Sequence, residues 1–165
     1  MSIASSHIQP CLWFDDTLEE AARFYTGIFP NSAIGHLGPM AGEFTLDGMT
    51  FRGINGGPAF PFTEAVSFSV TCRDQTEVDY YWDSLADGGQ ESVCGWLKDR
   101  YGLSWQIVPV RLYELMTDPD PARAEAASRA MLGMRRIVVA ELEAAADAVH
   151  TRGDPTHSAR RPRPD

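Results

Sequence analysis

Short apolar runs and helical apolar stripes take turns along this chain. Ile8–Phe14 (IQPCLWF) is a brief apolar run that predicts a strand, with Pro10 pointing to an edge or bulge. Apolar residues at 18, 21, 22, 25, 28 and 29 then follow the i, i+3, i+4, i+7 spacing of one helix face. Thr17-Leu18-Glu19-Glu20 precedes this stripe and has the T-x-x-E form of a capping box, and Pro30-Asn31 stops it. Three extended candidates follow at 32–37, 42–46 and 49–55. Asp47-Gly48 between the last two reads as a tight hairpin turn, because both turn positions want positive φ.

The same order of elements then returns. Asn55-Gly56-Gly57-Pro58 and the aromatic stretch Phe60-Pro61-Phe62 mark a break. Ala65–Thr71 alternates like a half-buried strand, and Asp74-Gln75-Thr76-Glu77 is again a cap followed by a glutamate at the third position. Apolar residues at 78, 81, 82 and 85 make a second helical stripe, which ends at Gly88-Gly89. Further strands are expected at 91–94, 95–98 and 103–109, with a turn over Asp99–Gly102. An offset of 57 places Thr17 on Asp74, Glu20 on Glu77, Tyr25 on Trp82 and Ile28 on Leu85. Cap, carboxylate and apolar face superpose together, so the chain reads as a duplicated βαβββ unit.

Beyond Pro109 the pattern becomes helical. Asp120-Pro121 opens one run to about Gly133, with proline at the favoured first-turn position, and a second run spans about Val138–Val149. These helices are expected against the edge of the domain or a partner subunit. The expected architecture is therefore α+β: two tandem βαβββ modules forming a cupped mixed sheet, with a C-terminal helical extension. A single domain over residues 1–150 comprises halves at about 7–57 and 64–110 and the extension at 111–150. Residues 151–165, rich in proline and arginine, read as a disordered tail.

Charge and composition narrow the partners. The formal net charge is −9, but the tail has Arg152, Arg160, Arg161 and Arg163 against Asp154 and Asp165. Many of the body's acids sit at predicted helix starts, where the helix dipole favours them. An acidic body argues against a nucleic-acid or anionic-membrane surface. No run approaches the ~18 apolar residues of a membrane span, and the N-terminus lacks the charged and apolar regions of a secretory signal. Cys11, Cys72 and Cys94 are odd in number and lack CxxC spacing, which suggests reduced thiols and a cytoplasmic setting.

The segments CLWFDDTLEEAARFYTGIFPNS, EFTLDGMTFRGINGGPAF, EAVSFSVTCRDQTEVDYYWDSLADGG and CGWLKDRYGLSWQIVP resemble the PhnB-like family, often labelled 3-demethylubiquinone-9 3-methyltransferase. That family lies within the glyoxalase/bleomycin resistance/dioxygenase (vicinal oxygen chelate) superfamily. The likeness extends over about residues 7–148. It implies the cupped sheet, a homodimer and a cavity between strands. One departure is the stretch Gly35–Glu43, shorter than the loop expected there, which implies an altered or more open cavity mouth.

The resemblance also implies where chemistry would sit. In the superfamily each half supplies His, Glu or Gln ligands to an open metal site. The matching positions here are near Gln9 on the first strand, Ala65 on the fifth and Gln106 on the last. Neutral amides and an alanine are poor ligands for a divalent ion. His7 and His36 are candidates for a partial site, while His150 and His157 fall in the last helix and tail. The expectation is no metal and no cofactor. A methyltransferase site would need a glycine-rich strand-to-helix turn, and none is present.

What remains is a pocket for a small aromatic or hydrophobic ligand. The pocket candidates are Gln9, Trp13, Asn55, Phe60, Phe62, Cys94, Trp96 and Gln106. No catalytic residue is assigned, although Glu64 and Asp99 are the nearest acids for proton transfer. Tyr25, Tyr81 and Trp82 lie on helix stripes and belong to the expected core. The competing reading is an enzyme: a divergent metal-dependent lyase or dioxygenase, or the family-labelled methyltransferase.

Overall fold

The computed structural model describes residues 8–151, with side chains described to residue 149. Eight strands and five helices follow one another as β1 (Cys11–Phe14), α1 (Leu18–Ile28), β2 (Ala33–Leu37), β3 (Ala41–Leu46), β4 (Met49–Asn55), β5 (Ser67–Cys72), α2 (Gln75–Ala86), β6 (Gln90–Glu91), β7 (Trp96–Lys98), β8 (Ser104–Pro109), α3 (Val110–Met116), α4 (Pro121–Leu132) and α5 (Val139–Thr151). The architecture is α+β, as the periodicity predicts. The strands form two four-stranded mixed sheets, ordered β1-β4-β3-β2 and β5-β8-β7-β6. The identical order in each is the structural imprint of the duplication.

Each repeat is built by the same local physics. In the first sheet β1 runs parallel to β4, and β2-β3-β4 form an antiparallel meander. Asp47 and Gly48 take positive φ (44° and 80°), which closes the β3–β4 hairpin tightly. Phe14, Phe44 and Phe51 are buried, while the register row Cys11–Arg52–Glu43 is exposed. That alternation is what a half-covered sheet requires. Helix α1 covers the buried side, with Leu18, Ala21, Ala22 and Tyr25 turned inward.

The helix caps differ from the sequence expectation in one repeat. At α2 the Asp74 carboxylate accepts from Glu77 N–H at 3.0 Å, and Glu77 accepts from Arg73 N–H at 2.7 Å. At α1 the Thr17 side chain makes no cap bond. Leu18 N–H instead donates to Asn55 Oδ1 at 2.9 Å, so a residue from the end of β4 caps this helix.

The chain divides into two compact units that do not coincide with the repeats. Among the described residues, the first comprises 8–68, 83–91 and 97–105, and the second 69–82, 92–96 and 106–151. The first unit has an aromatic core in which Tyr25, Phe29 and Phe68 surround Trp105 at centroid separations of 5.3–5.6 Å. The second has its own core of Val108, Leu112, Leu115, Ala127, Met134, Ile137, Leu142 and Ala146. The helices after β8 are thus integral to that unit. Gln75 fastens them: its amide donates to Ile137 O at 3.1 Å and accepts from Val139 N–H at 2.8 Å. The tail 152–165, with His157, lies outside the described residues, as does His7.

Candidate functional site: an aromatic cavity in the first unit

The breaker after β4 builds one wall of a cavity. Gly56 lies flat against the Trp13 indole, where a Cβ would come within 2.0 Å of the ring, so only glycine allows this approach. Trp13 Nε1–H donates to Gly57 O at 2.8 Å, which locks the indole in place. The chain then folds back, and Phe60 meets Trp13 edge-on at 5.0 Å while Phe62 meets Phe14 edge-on at 5.6 Å. Such edge contacts suit the ring quadrupoles.

The opposite wall comes from the end of β7 and the turn after it. Lys98, Arg100, Tyr101 and Gly102 face the aromatic loop across a cavity of about 420 Å³, with Asp15 and Thr17 completing its lining. That volume is within the ~300–1,000 Å³ usual for small-molecule sites. Lys98 Nζ pairs with Glu64 Oε1 at 2.6 Å, a contact that holds the exposed Glu64 carboxyl below its ordinary range. Arg100 pairs with Asp87 and places its guanidinium 4.6 Å from the Phe24 ring centre.

A buried carboxylate shapes this turn. Asp99 is 3% exposed. Its Oδ1 accepts from Tyr101 N–H and Leu103 N–H at 2.9 and 3.1 Å, and its Oδ2 from Tyr25 OH and Trp105 Nε1–H at 2.7 and 2.8 Å. Burial pushes the Asp99 carboxyl above its ordinary range, and the four donors pull against that. With both oxygens occupied, Asp99 sets the turn that presents Lys98, Arg100 and Tyr101. Tyr101 is held further by its hydroxyl, which donates to Glu20 at 2.9 Å. Its phenol is pushed well above the ordinary value, first by burial and then by Glu20.

The sequence-selected residues are distributed as follows. Trp13, Phe60 and Phe62 come together in the cavity wall. Asn55 is spent on capping α1 and on Pro39 O, to which its amide donates at 3.0 Å. Gln9 is half-buried just before β1 and is not among the lining residues. Cys94, Trp96 and Gln106 belong to the second unit. There Cys94 takes φ 59° and donates its backbone N–H to Met134 O at 2.7 Å. Sequence alternation did not single out Lys98, Arg100 or Tyr101. The clue was the length of the Asp99–Gly102 turn, which returns those residues toward the aromatic loop.

Residues 6–108 match the sequence profile of the family described as 3-demethylubiquinone-9 3-methyltransferase. The chain belongs to this family. The match ends at residue 108, so α3–α5 lie beyond it, short of the likeness to about residue 148 that the motifs imply. Among solved structures the chain is similar to the PhnB protein of Bacillus cereus, at 32% identity and TM-score 0.58, over 64% of this chain and 100% of that one. It shares its fold with a Pseudomonas aeruginosa protein (18% identity, TM-score 0.52, 64% and 98% covered). It also shares it with a Listeria monocytogenes fosfomycin resistance protein complexed with manganese(II) and sulfate (16% identity, TM-score 0.50, 65% and 91% covered). No curated protein matches the chain. These findings establish the PhnB-like family for this chain and show that its tandem βαβββ fold is shared more widely.

Among the described residues, the donor set does not fit the metal that the superfamily resemblance implies. Among the described residues, no three His, Cys, Asp or Glu side chains converge in a way that could hold an ion. His36 is exposed on β2. The strand-to-helix turn after β1 also departs from a nucleotide-type site. Its residues are Asp15-Asp16-Thr17, and the first helical N–H, which would face an anion there, is taken by Asn55. Among the described residues, no helix is long and apolar enough to cross a membrane.

Proposed function

We propose that this PhnB-like protein binds a small planar aromatic or hydrophobic molecule, and does so without a metal. The observation that supports this most directly is the locked Trp13 indole, edge-packed by Phe60 beside a cavity of about 420 Å³. A fixed aromatic wall offers stacking area without a large entropic cost of ordering on binding. The residues that serve this role are Trp13, Phe60 and Phe62, with Tyr101 opposite. Gln9 and Asn55 of the same unit, and Cys94, Trp96 and Gln106 of the second unit, are the remaining candidates from the sequence and are not needed for this cavity.

The same reading treats residues 1–150 as one working domain, paired as a homodimer in a reducing, cytoplasmic setting. The unpaired thiols of Cys11, Cys72 and Cys94 support the compartment. Light scattering checks the dimer, and a stable monomer near 18 kDa would contradict it.

The binding claim is tested by titrating the purified protein with a panel of flat aromatic compounds, followed by tryptophan fluorescence and calorimetry. Saturable binding that weakens on Phe60→Ala and on Trp13→Leu is expected. Stoichiometric zinc, nickel, manganese or iron in the purified protein, or tight binding of S-adenosylmethionine, would replace this reading with an enzymatic one. The enzymes in question are a metal-dependent lyase or dioxygenase, or the methyltransferase of the family's description.

A further inference from the structure

The cavity has a polar end that its aromatic wall does not explain. Lys98 and Arg100 stand two residues apart at the end of β7, and the acid among the lining residues is Asp15. Both cations already have counterions, but the two sides of each pair differ in how they are held. The Lys98 and Arg100 side chains are 31% and 34% exposed, whereas Glu64 and Asp87 opposite them are 65% and 74% exposed. The cations are seated against the protein and the carboxylates hang in solvent. Exposed pairs of this kind contribute little to stability, so exchanging one carboxylate for another is cheap. Arg100 is tied down further, by the Phe24 ring and by a bond from its Nε to Asp87 O at 3.2 Å. Lys98, a flexible ammonium on a four-carbon stem, is the cation able to turn to a new partner.

We propose that the cavity takes an aromatic carboxylate, with its ring against Trp13 and Phe60 and its carboxylate on Lys98, and that Glu64 occupies Lys98 when the ligand is absent. This rests on the binding reading above and adds the ligand's charge and the residue that reads it. Glu64 is then an internal competitor, and removing its charge frees Lys98.

Calorimetry with 2-naphthoate and its neutral counterpart 2-naphthamide tests this on the full-length protein. The acid is expected to bind about tenfold more tightly than the amide, since one charge-assisted contact of this strength corresponds to about that factor. Lys98→Met is expected to abolish the difference, Lys98→Arg to keep most of it, and Glu64→Gln to raise affinity for the acid several-fold. The amide's affinity should change far less than the acid's in all three variants. Equal binding of acid and amide would overturn this proposal while leaving the aromatic-binding reading intact. A preference for the acid that survives Lys98→Met would overturn it too. Binding of neither probe would overturn both.

Discussion

The Tyr25 hydroxyl donates to Asp99 Oδ2 at 2.7 Å across 74 residues of sequence, tying α1 to the turn between β7 and β8. This bond ends in a buried carboxylate whose other donors are Trp105 and two backbone amides. Removing one donor to a buried charged acceptor costs about 1.5–3 kcal/mol. Tyr25→Phe is therefore expected to lower unfolding free energy by about that amount in urea denaturation. Asp99→Ala is expected to cost more, because it orphans several donors at once. It should also weaken ligand binding, since Lys98, Arg100 and Tyr101 depend on this turn.

The α1 cap makes a sharper distinction. Because Leu18 N–H bonds to Asn55 and not to Thr17, Asn55→Ala is expected to cost about 1 kcal/mol, a typical cap loss, while Thr17→Ala should change stability by less than ~0.5 kcal/mol. Paired chemical denaturation curves check the order. A larger loss for Thr17→Ala would mean that the sequence-local capping box is the true one.

Alkaline pH should destabilise the protein through two buried groups. Burial pushes the Cys72 thiol up to about 12, with Glu77 and Asp74 adding to the effect. Burial, then Asp99, holds the Tyr25 phenol well above its ordinary value. In the unfolded chain these groups ionise near ~8.5 and ~10. The unfolded state therefore releases protons first as pH rises, and stability declines from about pH 8.5 upward. A flat melting temperature between pH 7 and about 8.5, followed by a fall, is expected. The slope should be shallower in a Cys72→Ala/Tyr25→Phe double variant. Consistent with the same burial, exposed Cys11 should react with a thiol reagent at pH 8 while Cys72 reacts only on unfolding.

Truncation after Val110 should damage the protein, although the family match ends two residues before that point. Removing α3, α4 and α5 in this way would uncover Val108, strip Gln75 of its bonds to Ile137 and Val139, and leave the N–H groups of Cys94 and Gly95 without Met134 O and Arg135 O. Increased binding of a hydrophobic dye and a lower melting temperature are expected. An unchanged melting curve would show that the extension is dispensable.

Several of these features were readable from the linear chain, and others were not. The duplication was legible because a strand, a capped amphipathic helix and three strands recur at a constant offset, and each depends on neighbours a few residues away. The Asp47-Gly48 turn was legible for the same reason. The α1 cap was not: T-x-x-E is a local match, and Asn55 reaches the same N–H from 37 residues away. Asp99 stood out in sequence only as a nearby acid. Its role appeared once Tyr25, Trp105 and two turn amides were found to converge on it.

The cavity divides along the same line. Trp13, Phe60 and Phe62 could be selected from the sequence, since a glycine pair followed by prolines and phenylalanines must fold back and cover apolar surface. Lys98, Arg100 and Tyr101 could not, because strand alternation says which face a residue takes and not which loop will stand opposite. By itself the sequence determined the α+β repeat, the helix stripes and the family, all of which follow from short-range periodicity and motif. Tertiary structure decided which N–H groups are capped, where the buried carboxylate finds its donors and which cations close the aromatic cavity. Those outcomes depend on long-range contacts, whose partners are brought together only by folding.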